Sequence, residues 1–508
     1  MEARERELKL ELDAAAARDL RERRLKRLGA EAGGRQALSA TYFDTKKRAL
    51  QKRGLSLRLR TEGGRRIQTL KGPNEGGGLF DRLEWSIEVS GDVPDLSGLA
   101  ATPLHDLVSD ERLQGRLRPV FTTEVERTTW RVRSETAEIE LALDEGTLRA
   151  GDDTQTLAEL ELELKTGSPA DLFKLARALG SAGAFRIGVR TKAERGYALA
   201  AGAAPAAVKA EPLTLPPGMT AADAFRAIVG RCVRHFRLNE PLVIEARSAE
   251  ALHQARVALR RLRSALSLFK DIIADDDIDK IKAGLRRIWR RLGEARDLDV
   301  VLADLEAERR TAEAGRAELI ERLGRDRDAA YDRVVATLGE GRFRRLMLDL
   351  VAWSEAGSWR EDPQRQAARE EPLETFAAEV LARRRRKIRK RGRDLAKLDV
   401  AAQHRIRIEA KKLRYATEFF ASLAATKKAR ERHRVFLKSL EDLQEHLGRA
   451  NDLATGERVA SRLPEEALAG LAAAPAPSDP ARARDTALTA ASAAFHDFAR
   501  AKRFWRAV

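Results

Sequence analysis

The spacing of apolar residues changes once along this chain, and that change constrains the fold more than any other feature. Up to about residue 200, apolar and polar residues alternate over Glu5–Asp13, Leu55–Thr61, Arg65–Lys71, Arg82–Val89, Arg127–Arg133, Glu138–Asp144 and Ala158–Lys165. A period of two predicts strands with one apolar face. Turn residues separate the runs, at Glu62-Gly63-Gly64, Gly72-Pro73-Asn74, Asp144-Glu145-Gly146 and Gly151-Asp152-Asp153, and helical patches interrupt near Ala14–Leu28 and Pro169–Ala182. From Thr220 onward nearly every stretch follows the helical period of 3.6. Between the halves, AGAAPAAVKAEPLTLPP (201–217) follows neither period and reads as a linker. A second breaker at 463–481 precedes a last helix. A chain of 508 residues exceeds one ordinary core. The expectation is therefore an α+β multidomain protein: a β-rich domain over 1–200, a linker over 201–217 and an all-α domain over 218–508, each half owning its core.

The polar faces of the strands are sorted by charge. Glu5, Glu7, Lys9 and Glu11 oppose Leu8, Leu10 and Leu12; Glu159, Glu161, Glu163 and Lys165 oppose Leu160, Leu162 and Leu164; Glu138, Glu140 and Asp144 oppose Ile139, Leu141 and Leu143. Basic residues gather on other strands, at Arg58 and Arg60, at Lys71, and at Arg127, Arg131 and Arg133. About eight such strands can close into a barrel. With the apolar face against covering helices, the charged face lines the lumen. Carboxylates there offer hard oxygen ligands to a divalent cation, and the basic strands offer donors to phosphate oxygens, a combination suited to metal-dependent phosphate chemistry.

The helical half repeats itself. His253-Gln-Ala-Arg256-Val-Ala-Leu-Arg260-Arg261-Leu262-Arg263 matches His404-Arg-Ile-Arg407-Ile-Glu-Ala-Lys411-Lys412-Leu413-Arg414, and Leu292-Gly293-Glu-Ala-Arg296-Asp297-Leu298 matches Leu447-Gly448-Arg-Ala-Asn451-Asp452-Leu453. On a helix, positions i, i+3, i+7 and i+10 share an arc of about 80°. His253, Arg256, Arg260 and Arg263 thus form one basic stripe, and His404, Arg407, Lys411 and Arg414 a second, with Phe269 and Phe420 on the opposite, apolar sides. The histidines keep arginine company rather than carboxylate or cysteine company, so they read as phosphate donors and not metal ligands. The run RRRRKIRKRGR (383–393) is basic at nine of eleven positions, too one-sided to be neutralised internally. Trp289, flanked by paired arginines, reads as core.

The net charge of +17 calls for a polyanionic partner. The single cysteine, Cys232, rules out an internal disulfide framework and reads as structural. No apolar run is long enough for a membrane helix, and the charged start MEARERELKLELD has no signal-peptide core. No GxxxxGK[ST], GxSxG or HExxH motif occurs. The expected location is cytoplasmic.

Two resemblances sharpen this. Glu5-Arg-Glu7-Leu-Lys9, an ExExK motif, is followed in order by TYFDTKKRAL (41–50), LSLRLR (55–60), TLKGP (69–73), RLEWSIEV (82–89), ELELELK (159–165) and TKAERGYAL (191–199). This set resembles the CYTH family, the triphosphate tunnel metalloenzymes, whose fold is a closed antiparallel tunnel of eight strands. The two His-basic helices resemble the CHAD domain, a helical polyphosphate-binding domain of two repeated bundles found behind CYTH. The resemblance implies an inorganic triphosphatase dependent on Mg²⁺ or Mn²⁺. It implies metal ligands Glu5, Glu7, Glu161 and Glu163, catalytic roles for Glu5, Glu7, Lys9 and Lys71, and substrate contacts from Lys9, Arg58, Arg60, Lys71, Arg131, Arg133 and Lys192. Glu138, Glu140, Asp144 and Glu159 stay open as further ligands, because period alone does not separate them. Polyphosphate would meet His253, Arg256, Arg260, Arg263, His404, Arg407, Lys411 and Arg414. The alternatives are a binding protein without turnover, or a hydrolase of thiamine triphosphate, a nucleoside triphosphate or an RNA 5′-triphosphate. Nucleic acid is the disfavoured partner of the helical half, since no aromatic residue interleaves the stripes.

Overall fold

The computed structural model describes residues 3–72, 81–99, 111–180, 185–307, 314–460 and 480–505. The alternating segments form one antiparallel sheet: β1 (Ala3–Glu11), β2 (Glu31–Asp44), β3 (Ser56–Glu62), β4 (Arg65–Lys71), β5 (Asp81–Glu88), β6 (Arg118–Arg133), β7 (Glu138–Ala150), β8 (Asp153–Thr166) and the two-residue β9 (Arg186–Ile187). The order is β5-β4-β3-β2-β6-β7-β8-β1-β9, and β1 also pairs with β5. The ring of eight strands is thus joined by a staggered seam. Ala3–Arg6 of β1 pair with β5 at Asp81–Glu84, whereas Glu7–Glu11 pair with β8 at Glu159–Glu163. Among the described residues, closure rests on four residue pairs, Ala3–Glu84 to Arg6–Asp81. Strand β2 lies outside the alternating runs because its first half, EAGGRQ, carries no apolar alternation.

The apolar faces turn outward, onto helices. Leu8, Leu10, Leu141, Leu143, Leu160 and Leu162 pack with Ala16 and Ala17 of α1 (Ala14–Asp19) and with Leu172, Phe173 and Leu179 of α2 (Pro169–Leu179). A third helix, α3 (Lys192–Ala200), begins with a capping box between Thr191 and Glu194 and closes on β6 and β7. Gly196 makes this approach possible, since a Cβ there would lie 2.1 Å from the Phe121 ring.

The second half is helical: α4 (Ala221–Glu245), α5 (Ala249–Leu268), α6 (Ile278–Ala307), α7 (Ala314–Gly339), α8 (Gly341–Ala356), α9 (Leu373–Arg391), α10 (Val400–Phe419), α11 (Lys427–Ala460) and α12 (Pro480–Arg500). Its core is aromatic, with Phe225, Phe269, Trp353, Trp359, Phe376 and Phe420 in mutual ring contact. Cys232 is buried in α4, and burial raises its thiol pKa to about 11. Among the described residues no helix is long and apolar enough to cross a membrane.

The two halves do not keep their cores wholly apart: the first half holds clusters of its own around Phe43 and Trp85 and around Tyr42 and Phe121, but the largest cluster is shared. One buried apolar cluster runs from Leu8, Phe173 and Ile187 through Leu213 and Leu215 into Phe225 and Phe236. Segment 201–217 contains no helix or strand, yet it is fastened to the helical half. Leu213 and Leu215 are buried, Val208 N donates to Asn239 Oδ1 (2.9 Å), and Leu215 N donates to Ser422 Oγ (3.0 Å). Ion pairs cross the junction too, Arg177–Asp349 at 2.7 Å and Arg237–Glu11 at 2.9 Å.

Candidate active site

Register places the lumen residues in rows. Across β6, β7, β8 and β1, one row reads Arg127, Asp144, Glu159 and Glu11; the next reads Thr129, Ala142, Glu161 and Lys9; the third reads Arg131, Glu140, Glu163 and Glu7. The opposite wall carries Arg58 and Arg60 on β3 and the pair Lys71–Glu84 (2.6 Å) across β4 and β5. Together they enclose a polar cavity of about 420 Å³. Among the described residues, six basic side chains line it (Lys9, Arg58, Arg60, Lys71, Arg127, Lys192), facing six carboxylates (Glu7, Glu62, Glu84, Glu140, Glu161, Glu163).

Its base is a dense ionic lattice. Lys192, the first residue of α3, places its ammonium 2.7 Å from Glu159, 2.8 Å from Asp144 and 2.9 Å from Glu161. Lys9 Nζ lies 2.8 Å from Glu161 and 2.9 Å from Glu7. Arg127 holds Asp144 through Nε and Nη2, and Glu161 through Nη2, each at 2.7 Å. Burial alone would lower the Lys9 pKa, but Glu161, Glu7 and Glu159 outweigh it and hold it well above the ordinary lysine value of 10.5. Burial would raise the Glu161 carboxyl; Lys192, Lys9 and Arg127 instead keep it well below 4.5. Lys9 and Glu161 are therefore both charged at neutral pH. The share from Glu161 is complete above its unfolded value near 4.5 and is lost as pH falls through the lowered one; the share from Lys9 is complete below 10.5 and is lost only above its raised value. On the far wall, burial and the neighbouring Arg58 lower the Arg60 pKa, the mark of crowded cations facing a space for an anion.

Of the residues expected at the site, Glu7, Lys9, Arg58, Arg60, Lys71, Glu161, Glu163 and Lys192 line this cavity. Arg131 and Arg133 are not among its lining. They stand at the rim, nearly half exposed, Arg131 against Glu138 (3.0 Å) and Arg133 against Glu31 (2.6 Å). The side chain of Glu5 lies outside the described set. Arg127 and Glu84, read in the sequence as members of charged strand faces without a site role, and Glu140, left open as a further metal ligand, also line it. Two resemblance motifs prove partly architectural. Asp44 of TYFDTKKRAL is wholly buried, accepts from the backbone N–H groups of Thr45, Leu50 and Gln51, and accepts from the Tyr197 hydroxyl of TKAERGYAL at 3.1 Å.

The expected metal centre is a different matter. The lumen carboxylates have the hard-oxygen chemistry of a Mg²⁺ or Mn²⁺ site. Among the described residues, however, no three acidic, histidine or cysteine side chains converge as ligands on one point. Glu7, Glu159 and Glu161 are instead spaced around ammonium groups, and in that arrangement they do not fit a divalent ion.

In the helical half, α5 and α10 bring the two basic stripes together. Arg260 Nε donates to Tyr415 Oη at 2.6 Å, and Arg414 Nη2 reaches the same oxygen at 3.3 Å. Lys411 stands among them. Burial, then Arg407, Arg260 and Arg414, lowers its pKa to about 8, with Asp452 opposing. The repeat extends to packing. A Cβ on Gly293 would lie 2.8 Å from the Arg256 guanidinium, and one on its counterpart Gly448 would lie 2.9 Å from that of Arg407. His253 is half-buried and His404 exposed. Burial and then Arg296 lower the His253 pKa.

Two sequence readings need correction here. Trp289 is only partly buried and touches the first stripe, with Arg256 at 4.4 Å and Arg263 at 5.3 Å from its ring centre. The run 383–393 is partly neutralised within the fold. Arg384 (3.7 Å) and Lys387 (2.9 Å) pair with Glu409, while Arg385 donates to the carbonyls of Ala499 (3.0 Å) and Ala501 (2.7 Å). Arg386, Arg389, Lys390 and Arg391 stay exposed.

Comparison with known proteins bears on both halves. Residues 3–197 match the family model of the CYTH domain, and residues 227–461 match that of the CHAD domain. An inorganic triphosphatase from Haemophilus influenzae is 33% identical over 165 residues, covering 32% of this chain and 46% of that protein. The chain thus spans about half the length of this curated relative. A crystal structure of the CHAD domain from Ricinus communis superposes with a TM-score of 0.46 at 31% identity, covering 57% of this chain and 96% of that one. A putative adenylyl cyclase from Hippeastrum, described as having a dominant triphosphatase activity, gives a TM-score of 0.30 at 18% identity over 38% of this chain and 95% of its own. This chain therefore carries a CYTH domain followed by a CHAD domain.

Proposed function

We propose that the chain hydrolyses inorganic triphosphate in the β-tunnel and holds inorganic polyphosphate on the stripes of the helical domain. The observation that carries the first part is the cavity in which Arg58, Arg60, Lys71 and Arg127 face Lys9 and Lys192 across about 420 Å³. Guanidinium and ammonium donors at this density suit a chain of phosphoryl oxygens. Hydrolysis there is mostly positioning and neutralisation of charge developing on the leaving phosphate. The family implies a divalent cation, Mg²⁺ or Mn²⁺; the described carboxylates are not assembled for one, so the roles assigned here are those of the chain's own residues. Arg58 and Arg60 grip the phosphoryl oxygens, Lys71 is oriented by Glu84, and Arg127 is held in line by Asp144.

The test is phosphate release from inorganic triphosphate, thiamine triphosphate, ATP and RNA 5′-triphosphate, with Mg²⁺ and with Mn²⁺. Inorganic triphosphate is expected to give the highest kcat/KM, and Arg127→Ala is expected to lower it by about a hundred-fold or more. Tight binding without release from any substrate would turn the tunnel into a capture site.

For the helical domain, the donors come as repeated stripes whose aromatic neighbours lie under guanidinium groups, with Trp289 against Arg256 and Arg263 and Tyr415 buried beside Arg260 and Arg414. That suits a polyanion without bases. Lys411 gives the binding a pH signature. A polyanion favours its charged form, so binding takes up a proton near pH 8, and affinity is expected to fall by up to ten-fold per pH unit above that value. Polyphosphate titrations between neutral pH and pH 9 check this, with Lys411→Met expected to flatten the profile. Displacement of labelled polyphosphate by RNA as readily as by unlabelled polyphosphate would favour a nucleic-acid partner.

A further inference from the structure

The helical domain grips the tunnel domain from outside, next to the two lattice lysines. Helix α4 presents Arg234 and Arg237, one turn apart and on one face. Both reach the strap 186–191, which leads from β9 to the start of α3. Arg237 Nε donates to the carbonyl of Ile187 at 3.0 Å, and Arg234 Nη1 donates to the carbonyl of Val189. Each guanidinium also takes a carboxylate of the tunnel domain. Arg237 pairs with Glu11 of β1 (2.9 Å), and Arg234 with Glu194 of α3 (2.5 Å). The gripped positions adjoin the lysines. Between the two carbonyls, Gly188 N donates to Lys9 O at 2.8 Å, and a Cβ on Gly188 would lie 3.0 Å from that of Lys9. Beyond them, Glu194 accepts from Thr191 N at 2.8 Å and so caps the helix that opens with Lys192. The tunnel's own ladder along the strap is short: among the described residues, β9 pairs with β1 at Leu10–Ile187 and Glu11–Arg186.

We infer that Arg234 and Arg237 are positioning residues of the tunnel: from the helical domain they set the strap, and through it the places of the Lys192 and Lys9 ammonium groups. The inference rests on the tunnel being a triphosphate site. Neither arginine lines the cavity, so both act through other residues. The lattice leaves little slack. Lys192 Nζ meets Glu159, Asp144 and Glu161 within 2.7–2.9 Å, so a shift of about 1 Å breaks these contacts and turns the ammonium away from an incoming phosphoryl oxygen. Arg234 acts at the first turn of α3, where Lys192 stands. Arg237 acts at the end of β1, where Glu11 also takes Arg195 of α3 at 2.8 Å, so that one carboxylate ties β1, α3 and α4 together. The helical domain thereby completes the tunnel and is more than a surface for a second ligand.

The experiment uses the full-length protein with Arg234→Gln, because loss of Arg237 also takes a bond from the buried Glu240 and would mix stability with placement. In Arg234→Gln, kcat/KM for inorganic triphosphate is expected to fall about ten-fold. Arg234→Lys, which keeps a charge on Glu194, should return to within about three-fold of wild type. Arg231 stands one turn earlier on α4 and pairs with Glu211 (2.5 Å), so Arg231→Gln removes an ion pair away from the strap and should leave kcat/KM unchanged. Hydrogen exchange read by mass spectrometry over 186–196 tests the placement with no substrate present. That segment is expected to exchange at least about ten-fold faster in Arg234→Gln than in wild type. Thermal melts confirm that each variant is folded at the assay temperature. A folded Arg234→Gln with wild-type kcat/KM, or with unchanged exchange over 186–196, would overturn the inference, as would an equal kinetic loss in Arg231→Gln. If the wild-type protein releases phosphate from no triphosphate, the hydrolase reading fails, while the exchange result still decides whether Arg234 holds the strap.

Discussion

Glu161→Gln is expected to lower kcat/KM for inorganic triphosphate by about 10²–10³-fold, the range seen when one preorganised charge or donor is removed from a reacting centre. Glu161 accepts from Lys9, Lys192 and Arg127 at 2.7–2.9 Å, so three of the cavity's cations share it. The amide keeps the shape but not the charge. The three cations would then repel one another across a buried space, and each would move off the position from which it meets a phosphoryl oxygen. A loss of stability of about 3 kcal/mol should accompany the change, because removing one partner leaves buried charge uncompensated. Steady-state kinetics with a parallel thermal melt checks both parts. A variant that keeps turnover within a few-fold of wild type would place Glu161 outside the chemistry.

A fragment ending near residue 204 is expected to aggregate or to lose hydrolysis, although the change of period on its own suggests a separable first domain. Such a fragment would bare the outer faces of β1, β8 and α2, whose leucines belong to the same buried cluster as Phe225 and Phe236. It would also remove Arg237. That side chain is 5% exposed; it donates to Ile187 O (3.0 Å), bonds Glu240, and pairs with Glu11 (2.9 Å), two residues beyond Lys9 on β1. Within the full chain, Arg237→Ala is expected to cost about 3 kcal/mol, because the buried Glu240 is left with the longer Arg186 contact (3.4 Å) and Glu11 with Arg195 (2.8 Å). Soluble expression, far-UV circular dichroism and phosphate release from the fragment decide the first point, and denaturant melts of the variant decide the second. A soluble, fully active fragment would show that the shared cluster is dispensable.

The strands with strict alternation were legible in the sequence because one face had to be leucine and the other charged. Arg65–Lys71 was expected to the residue, and Leu55–Thr61 differs from Ser56–Glu62 by one position. Strand β2 was illegible as a strand since its glycines and small residues carry no alternation, its place being fixed by pairing with β6 from Glu31 to Asp44. Within the site, period two told which face Glu159, Glu161 and Glu163 share, but not their depth. Depth comes from the stagger of the barrel and from α3, which drives Lys192 between Asp144 and Glu159. The same blindness to depth grouped Arg131 and Arg133 with Arg127 on one lumen face, although of the three it is Arg127, one step further in, that lines the cavity. The shared core was illegible for another reason: a Pro/Ala-rich segment looks like a tether whether it floats or, as Leu213 and Leu215 do here, lies buried.

The staggered seam of β1 sets the order in which the chain can assemble. Strand β1 leaves the ribosome before its partners at Asp81–Glu84, Glu159–Glu163 and Ile187, and the last anchor of its end, Arg237, comes later still. Pairings this distant in sequence form late, because the intervening loop must be ordered first. Throughout synthesis of the tunnel, then, a strand of high β-propensity waits without its neighbours, the situation in which nascent chains associate with one another. The alternating charges of Glu5, Glu7, Lys9 and Glu11 keep that waiting strand in solution. The lumen residues Glu7 and Lys9 thus serve as gatekeepers before any lumen exists, so neutralising them should lower the yield of folded protein as well as the activity of what folds.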